Sequence, residues 1–126
     1  MKIREVMSQP VIRIGAEETV AVAARTLAHY NIGALPVCGS NGRLQGLITD
    51  RDLVTRCIAA GRDPQKTKVS QIMSGSVVGI PPDLDTETAA QIMGSRQIRR
   101  LPVLENEKLC GMVSLGDLTR TEADTG

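Results

Sequence analysis

Phenylalanine and tryptophan are absent from this chain of 126 residues, and Tyr30 is its only tyrosine. Its apolar interior must be assembled from Val, Ile, Leu, Ala and Met. The same lack removes the aromatic platforms on which single-stranded nucleic acid stacks. Charge of one sign is also missing. Residues 1–66 carry nine Lys/Arg and six Asp/Glu, residues 67–126 six and eight, giving +3 and −2. Neither half has the basic density of a nucleic-acid-binding domain. No stretch approaches the ~18 apolar residues of a membrane span, and "MKIREVMSQP" lacks a signal-peptide apolar core. These absences predict a soluble, cytoplasmic protein with neither nucleic acid nor membrane as partner.

Chemistry-bearing residues are sparse too. His29 is the only histidine, and Cys38, Cys57 and Cys110 are odd in number, widely spaced and without a C-x-x-C pair. No usual zinc ligand set can be assembled from them, and buried, reduced thiols are expected. Neither G-x-S-x-G nor G-x-x-x-x-G-K-[ST] occurs, so no nucleophile, metal site or required cofactor can be nominated and no enzymatic activity is expected.

What the chain has is a duplication. With an offset of 66, Val6-Met7 matches Ile72-Met73, Ile14 matches Ile80, Ile32 matches Ile98 and Leu35-Pro36-Val37 matches Leu101-Pro102-Val103. The offset then falls to 65: Gly46 meets Gly111, Thr49 meets Ser114, and Asp52-Leu53 meets Asp117-Leu118. One residue has been lost in a connection, where deletion is tolerated.

Each repeat predicts the same elements. An amphipathic turn (Ile3, Val6, Met7; Val69, Ile72, Met73) leads to a strand, "VIRI" or "VVGI". Thr19 and Asp85 stand as N-caps of the helix that follows. Val20, Ala23, Ala24 and Leu27 form its buried stripe, repeated by Ala89, Ala90 and Met93, with His29 off the stripe. Two apolar runs follow, "ALPVC" and "LQGLI", joined through Asn41-Gly42, a hairpin signal; "ENEK" joins the second pair. A last helix from Asp50 is expected to bury Leu53, Val54, Cys57 and Ile58 and to end at Gly61; in repeat two it is cut short by the polar "TRTEADTG". The order implies an α/β (α+β) fold of two β-α-β-β-α repeats, 1–62 and 69–126, with a linker at 63–68.

Thr49-x-x-Asp52 and Ser114-x-x-Asp117 stand where a strand gives way to a helix. A hydroxyl three residues before an acid is a capping box and needs no further role. Yet both acids also lie at the carboxyl end of a strand, where α/β folds open ligand clefts and a carboxylate accepts from ribose hydroxyls. The hydroxyl and the first helical amides suit phosphate. The residues leave both readings open.

Taken together, the duplicated Val-Met, Ala-rich helix, Ile-x-x-Leu-Pro-Val, hairpin and Gly-φ-φ-Thr/Ser-x-x-Asp-Leu (φ apolar) resemble a pair of CBS domains over residues 3–118. "IGALPVCGSNGRLQGLITDRDLVTRCIAAGRDP" is similar to small stand-alone bacterial CBS-pair proteins, including the hypoxic-response type of actinobacteria. The resemblance implies an intramolecular pseudo-twofold pair, or Bateman module, with two clefts between the repeats that take up AMP, ADP, ATP or S-adenosylmethionine. AMP or ATP is the regulatory ligand expected here.

By that resemblance Asp117 and Ser114 hold the ribose and phosphate side of one cleft, walled by Val11, Ile12, Ala34, Leu35 and Pro36. Asp52 and Thr49 serve the other, opposite Val77, Val78, Leu101 and Pro102. Arg99 and Arg100 stand where many family members place a phosphate-facing base; repeat one has Gly33-Ala34 there, so Arg51 would have to compensate. The family pattern also implies a homodimer through exposed helices, a four-repeat disc, and an effector protein the sequence does not name. The competing expectation is a structural, stress-related interaction protein with vestigial clefts, whose acids are only caps.

Overall fold

The computed structural model describes residues 1–9 and 11–119. From residue 120 the polar end "RTEADTG", with the expected shortening of the last helix, lies outside the described residues. Two compact units are present, Ile12–Val77 and Met1–Val11 with Val78–Gly126.

In the first unit β1 (Ile14–Gly15), β2 (Ala34–Cys38) and β3 (Leu44–Thr49) form a sheet in that order, β1 parallel and β3 antiparallel to β2. Helix α1 (Val20–Tyr30) lays Val20, Ala23 and Leu27 against Leu35, Val37 and Ile48, completing an aliphatic core. Thr19 caps α1 as expected, accepting from the Val22 amide at 3.3 Å. The supposed linker caps it as well: Val20 and Ala21 N–H donate to the carbonyls of Thr67 and Pro64. These satisfy donors that every helix start leaves orphaned.

The second unit holds α4 (Thr86–Arg96) and the antiparallel pair β4 (Arg100–Glu105) and β5 (Lys108–Ser114). Ala89 and Met93 bury their stripe against Leu101, Val103 and Val113. Here the expected first strand shrinks to one parallel bridge, Ile80 with Val103. Pro81-Pro82 follows directly and supplies no N–H to extend a ladder. Val11 and Ile12 likewise precede β1 rather than belonging to it. Asp85 sits at the N-cap of α4 but makes no side-chain cap bond; its Oδ1 accepts from Lys2 Nζ at 3.2 Å instead.

The unit boundaries do not follow the repeat boundaries at 1–62 and 69–126. The leading turn of each repeat is built into the unit that carries the other repeat's sheet. The 3-10 turn Ile3–Glu5 docks where Ile3 N–H donates to Leu84 O, Arg4 N–H to Pro82 O and Ser8 N–H to Met112 O. Arg4 and Asp83 pair at 2.6 Å beside them. Helix α3 (Val69–Ile72) docks in the same manner, with Val69 N–H on Glu18 O, Ser70 N–H on Ala16 O, and a bridge from Ser74 to Leu47. Glycine makes room for both. A Cβ at Gly111 would stand 2.5 Å from Met7 Sδ, and one at Gly46 would stand 2.5 Å from Ser74 O.

Two local expectations change. The lost residue falls in the hairpin loop, so repeat two turns through Asn106 and Glu107 alone, both at positive φ. Repeat one uses the longer Gly39–Arg43 loop with only Gly42 at positive φ. The helix from Asp50 is α-helical only over Asp50–Asp52 (α2) and continues as a π-helix, Leu53–Ile58. The wider turn shifts the helical phase. Cys57 is buried, but Val54 and Ile58, expected inside, are 59% and 61% exposed.

Candidate strand–helix ligand sites

Both repeats end their last strand in the same reciprocal cap. Asp52 N–H donates to Thr49 Oγ1 at 3.1 Å, and Asp52 Oδ2 accepts from Thr49 N–H at 3.0 Å. In repeat two, Asp117 N–H donates to Ser114 Oγ at 3.1 Å and Asp117 Oδ2 accepts from Ser114 N–H at 2.8 Å. The local cause is plain. The strand delivers an extended Thr or Ser whose side chain faces the next helical turn, and an acid at the third helical position is within reach of its amide. Each carboxylate is thereby fixed at the carboxyl end of a strand. Asp117 is buried, 7% exposed, and Asp52 is partly buried.

Register decides which basic side chains stand near them. Arg100 is the strand partner of Ser114, so the two share a face beside the repeat-two cap. Arg99 lines a hollow of about 340 Å³ at the end of α4 with Met93, Gly94, Ile98 and Leu115, and its carbonyl accepts from Leu115 N–H at the junction. In repeat one Ala34 pairs with Thr49. Arg51 is exposed at the helix start. A residue that sequence reasoning missed stands there instead: Arg56 Nε lies 3.8 Å from Asp52 Oδ1. An Asp-x-x-x-Arg spacing at the helix start was the available signal.

The apolar residues expected along the clefts divide. Leu35 and Leu101 are completely buried within the two cores, so their side chains are not available to a ligand. Pro36 and Pro102 are buried as well. Val11, Ile12, Val77 and Val78 are partly exposed.

Comparison with known proteins matches the CBS domain twice, at residues 3–58 and 69–124. The chain belongs to the CBS domain family. It is 40% identical over 116 residues to the CBS domain-containing protein YhcV of Bacillus subtilis, covering 92% of this chain and 81% of that protein. Against hypoxic response protein 1 of Mycobacterium tuberculosis it is 34% identical, covering 93% and 82%. A crystal structure of Hypoxic Response Protein I, with two coordinated zinc ions, superposes at a TM-score of 0.89 with 32% identity, over 95% of this chain and 98% of that one. The CBS domain pair of protein MJ0100, in complex with 5′-methylthioadenosine and S-adenosyl-L-methionine, superposes at 0.87 over 100% and 98% with 24% identity, a likeness of fold.

The described residues bring no three of His, Cys, Asp and Glu together for a metal. No helix among them is long and apolar enough to cross a membrane. Burial pushes the Cys38 thiol up, and Arg13 beside it partly opposes the shift. Burial pushes Cys110 up too, reinforced by Glu105. Cys38 and Cys57 are buried as expected, whereas Cys110 is only half-buried.

Proposed function

We propose that this CBS pair is a regulatory module that takes up an adenosine ligand of the AMP or ATP class and is not itself an enzyme. The observation that carries the reading is the twin cap. Two carboxylates are held in one rotamer at the ends of equivalent strands, in a fold that in MJ0100 accommodates adenosine compounds. In repeat two Asp117 would accept from the ribose hydroxyls, and Ser114 and Arg100 would face the phosphate side. Asp52 and Thr49 would serve the weaker site, with Arg51 as its phosphate contact. Arg99 would be the second basic contact on the phosphate side. Ligand acts by favouring one of two states, so an effector protein or dimer arrangement must differ between them.

Exposed apolar side chains support assembly as a homodimer through helices into a four-repeat disc. Tyr30 and Ile32 stand at the end of α1, and Val54 and Ile58 on the π-helix, all more than a third exposed. Light scattering on the eluted protein measures that state directly.

Isothermal titration with AMP, ATP and S-adenosylmethionine tests the ligand. Binding by the parent chain, lost in a folded Asp117→Ala protein, upholds the reading. The same caps also favour the structural alternative, in which Asp52→Ala costs about 1 kcal/mol as an ordinary cap and no adenosine ligand raises the melting temperature.

A further inference from the structure

The repeat-one site carries a feature that its family pattern and its cap leave unused. Asp52 is fixed through Oδ2 by the Thr49 amide, and its other oxygen, Oδ1, faces Arg56 Nε at 3.8 Å. The same guanidinium donates from Nη1 to the carbonyl of Ile72 at 3.3 Å. Ile72 is the last residue of α3, where a carbonyl has no partner within its own helix. Arg56 therefore spans from the acid to the end of the leading turn that closes this unit. The chain between the two, Leu53–Ile58, is the π-helix, a form that is rare and recurs at functional sites. A planar fork anchored at two points cannot swing as a lysine does. In repeat two the position aligned with Arg56 is Thr121, which carries no charge.

We propose that Arg56 is a positioning residue for Asp52: it holds Oδ1 outward and charge-balanced so that the acid meets a sugar 2′-hydroxyl, and it makes the repeat-one site depend on α3. The inference rests on the reading of Asp52 as the sugar-binding carboxylate. It differs from the sequence expectation in assigning the repeat-one arginine to orientation of the acid, at residue 56, rather than to phosphate at residue 51.

The test reads discrimination rather than affinity alone. AMP and 2′-deoxy-AMP are titrated into a chain carrying Asp117→Asn, which keeps an acceptor for the Ser114 amide and leaves the Asp52 site to be measured. Arg56→Gln and Arg56→Lys are then added to that chain. The expected result is a preference for AMP that falls about threefold in Arg56→Gln, somewhat above an exposed i,i+4 ion pair because the acid is partly buried, and that Arg56→Lys partly restores. If Arg56 merely tethers α3, both ligands weaken alike and the preference stands; that result, or no change at all, overturns the proposal while leaving the adenosine reading intact. Should the parent chain bind neither nucleotide, or bind both equally, the sugar-binding role of Asp52 fails and the positioning role falls with it. Circular dichroism on each variant establishes that the chain is folded when measured.

Discussion

The amide of Ile3 donates to the carbonyl oxygen of Leu84 at 2.9 Å, joining the start of repeat one to the loop before the first helix of repeat two. Ile3 is completely buried in the core of Leu101, Val103 and Val113. Truncation at a site this enclosed costs about 2–5 kcal/mol. Ile3→Ala is therefore expected to destabilise the unit of repeat two although it alters repeat one. Hydrogen exchange followed by mass spectrometry checks it: Arg100–Glu105 and Lys108–Ser114 lose protection before Ala34–Cys38. The opposite order would mean that the leader belongs with its own repeat.

Gly46 and Gly111 are equivalent by sequence but not by what lies over them. A Cβ at Gly111 meets only the Met7 side chain, which can swing aside, whereas one at Gly46 meets the Ser74 carbonyl at 2.5 Å and Met73 Sδ at 2.9 Å. Moving backbone that is bonded to Leu47 is the harder adjustment. Gly46→Ala is expected to cost about 1–3 kcal/mol as an overpacking change and Gly111→Ala clearly less. Urea unfolding of the two variants side by side decides the order.

Glu107 holds φ at 67° in the two-residue turn of repeat two. A left-handed conformation costs a residue with a Cβ about 1–2 kcal/mol that glycine does not incur. Glu107→Gly is expected to recover up to about 1 kcal/mol, the greater freedom of glycine in the unfolded chain taking back part of the gain. A higher melting temperature is the expected readout, reduced by whatever the Glu107 side-chain contact contributes.

Cys38 and Cys110 both have thiols raised above their ordinary value by burial. The folded state favours the neutral form, so their contribution is fully present below the ordinary thiol value of 9.0 and is lost as pH rises through it toward the raised folded values. Stability should fall as pH rises past 9.0 toward the raised folded values. The fall should be shallower in a Cys38→Ala, Cys110→Ala protein, which removes these thiols. Denaturant midpoints at each pH supply the comparison.

Particular residues show how much was legible beforehand. The stripe Val20, Ala23, Leu27 is buried because helical periodicity reports a face directly. The pairs Thr49/Asp52 and Ser114/Asp117 are placed by three-residue spacing, which a helix start converts into one geometry. Val54 and Ile58 misled because the expectation assumed α-helical phase, and a π turn rotates that phase without any composition signal. Arg56 was overlooked because one of its anchors, the Ile72 carbonyl, is a backbone group that no side-chain pattern advertises.

The amino-acid order by itself determined the stripes of α1 and α4, the hairpins and the two capped acids, which follow from periods and spacings within a few turns of chain; its duplicated motifs carried the resemblance to the CBS family. Only the tertiary structure decided that each leading turn completes the other repeat's unit. Ile3 and Val69 have equivalent sequence neighbours, and either sheet offers an aliphatic face. The choice between faces is made by the Leu84, Pro82, Ala16 and Glu18 carbonyls that receive the turns, and by the glycine beneath each methionine, none of them near in sequence to the turn they hold.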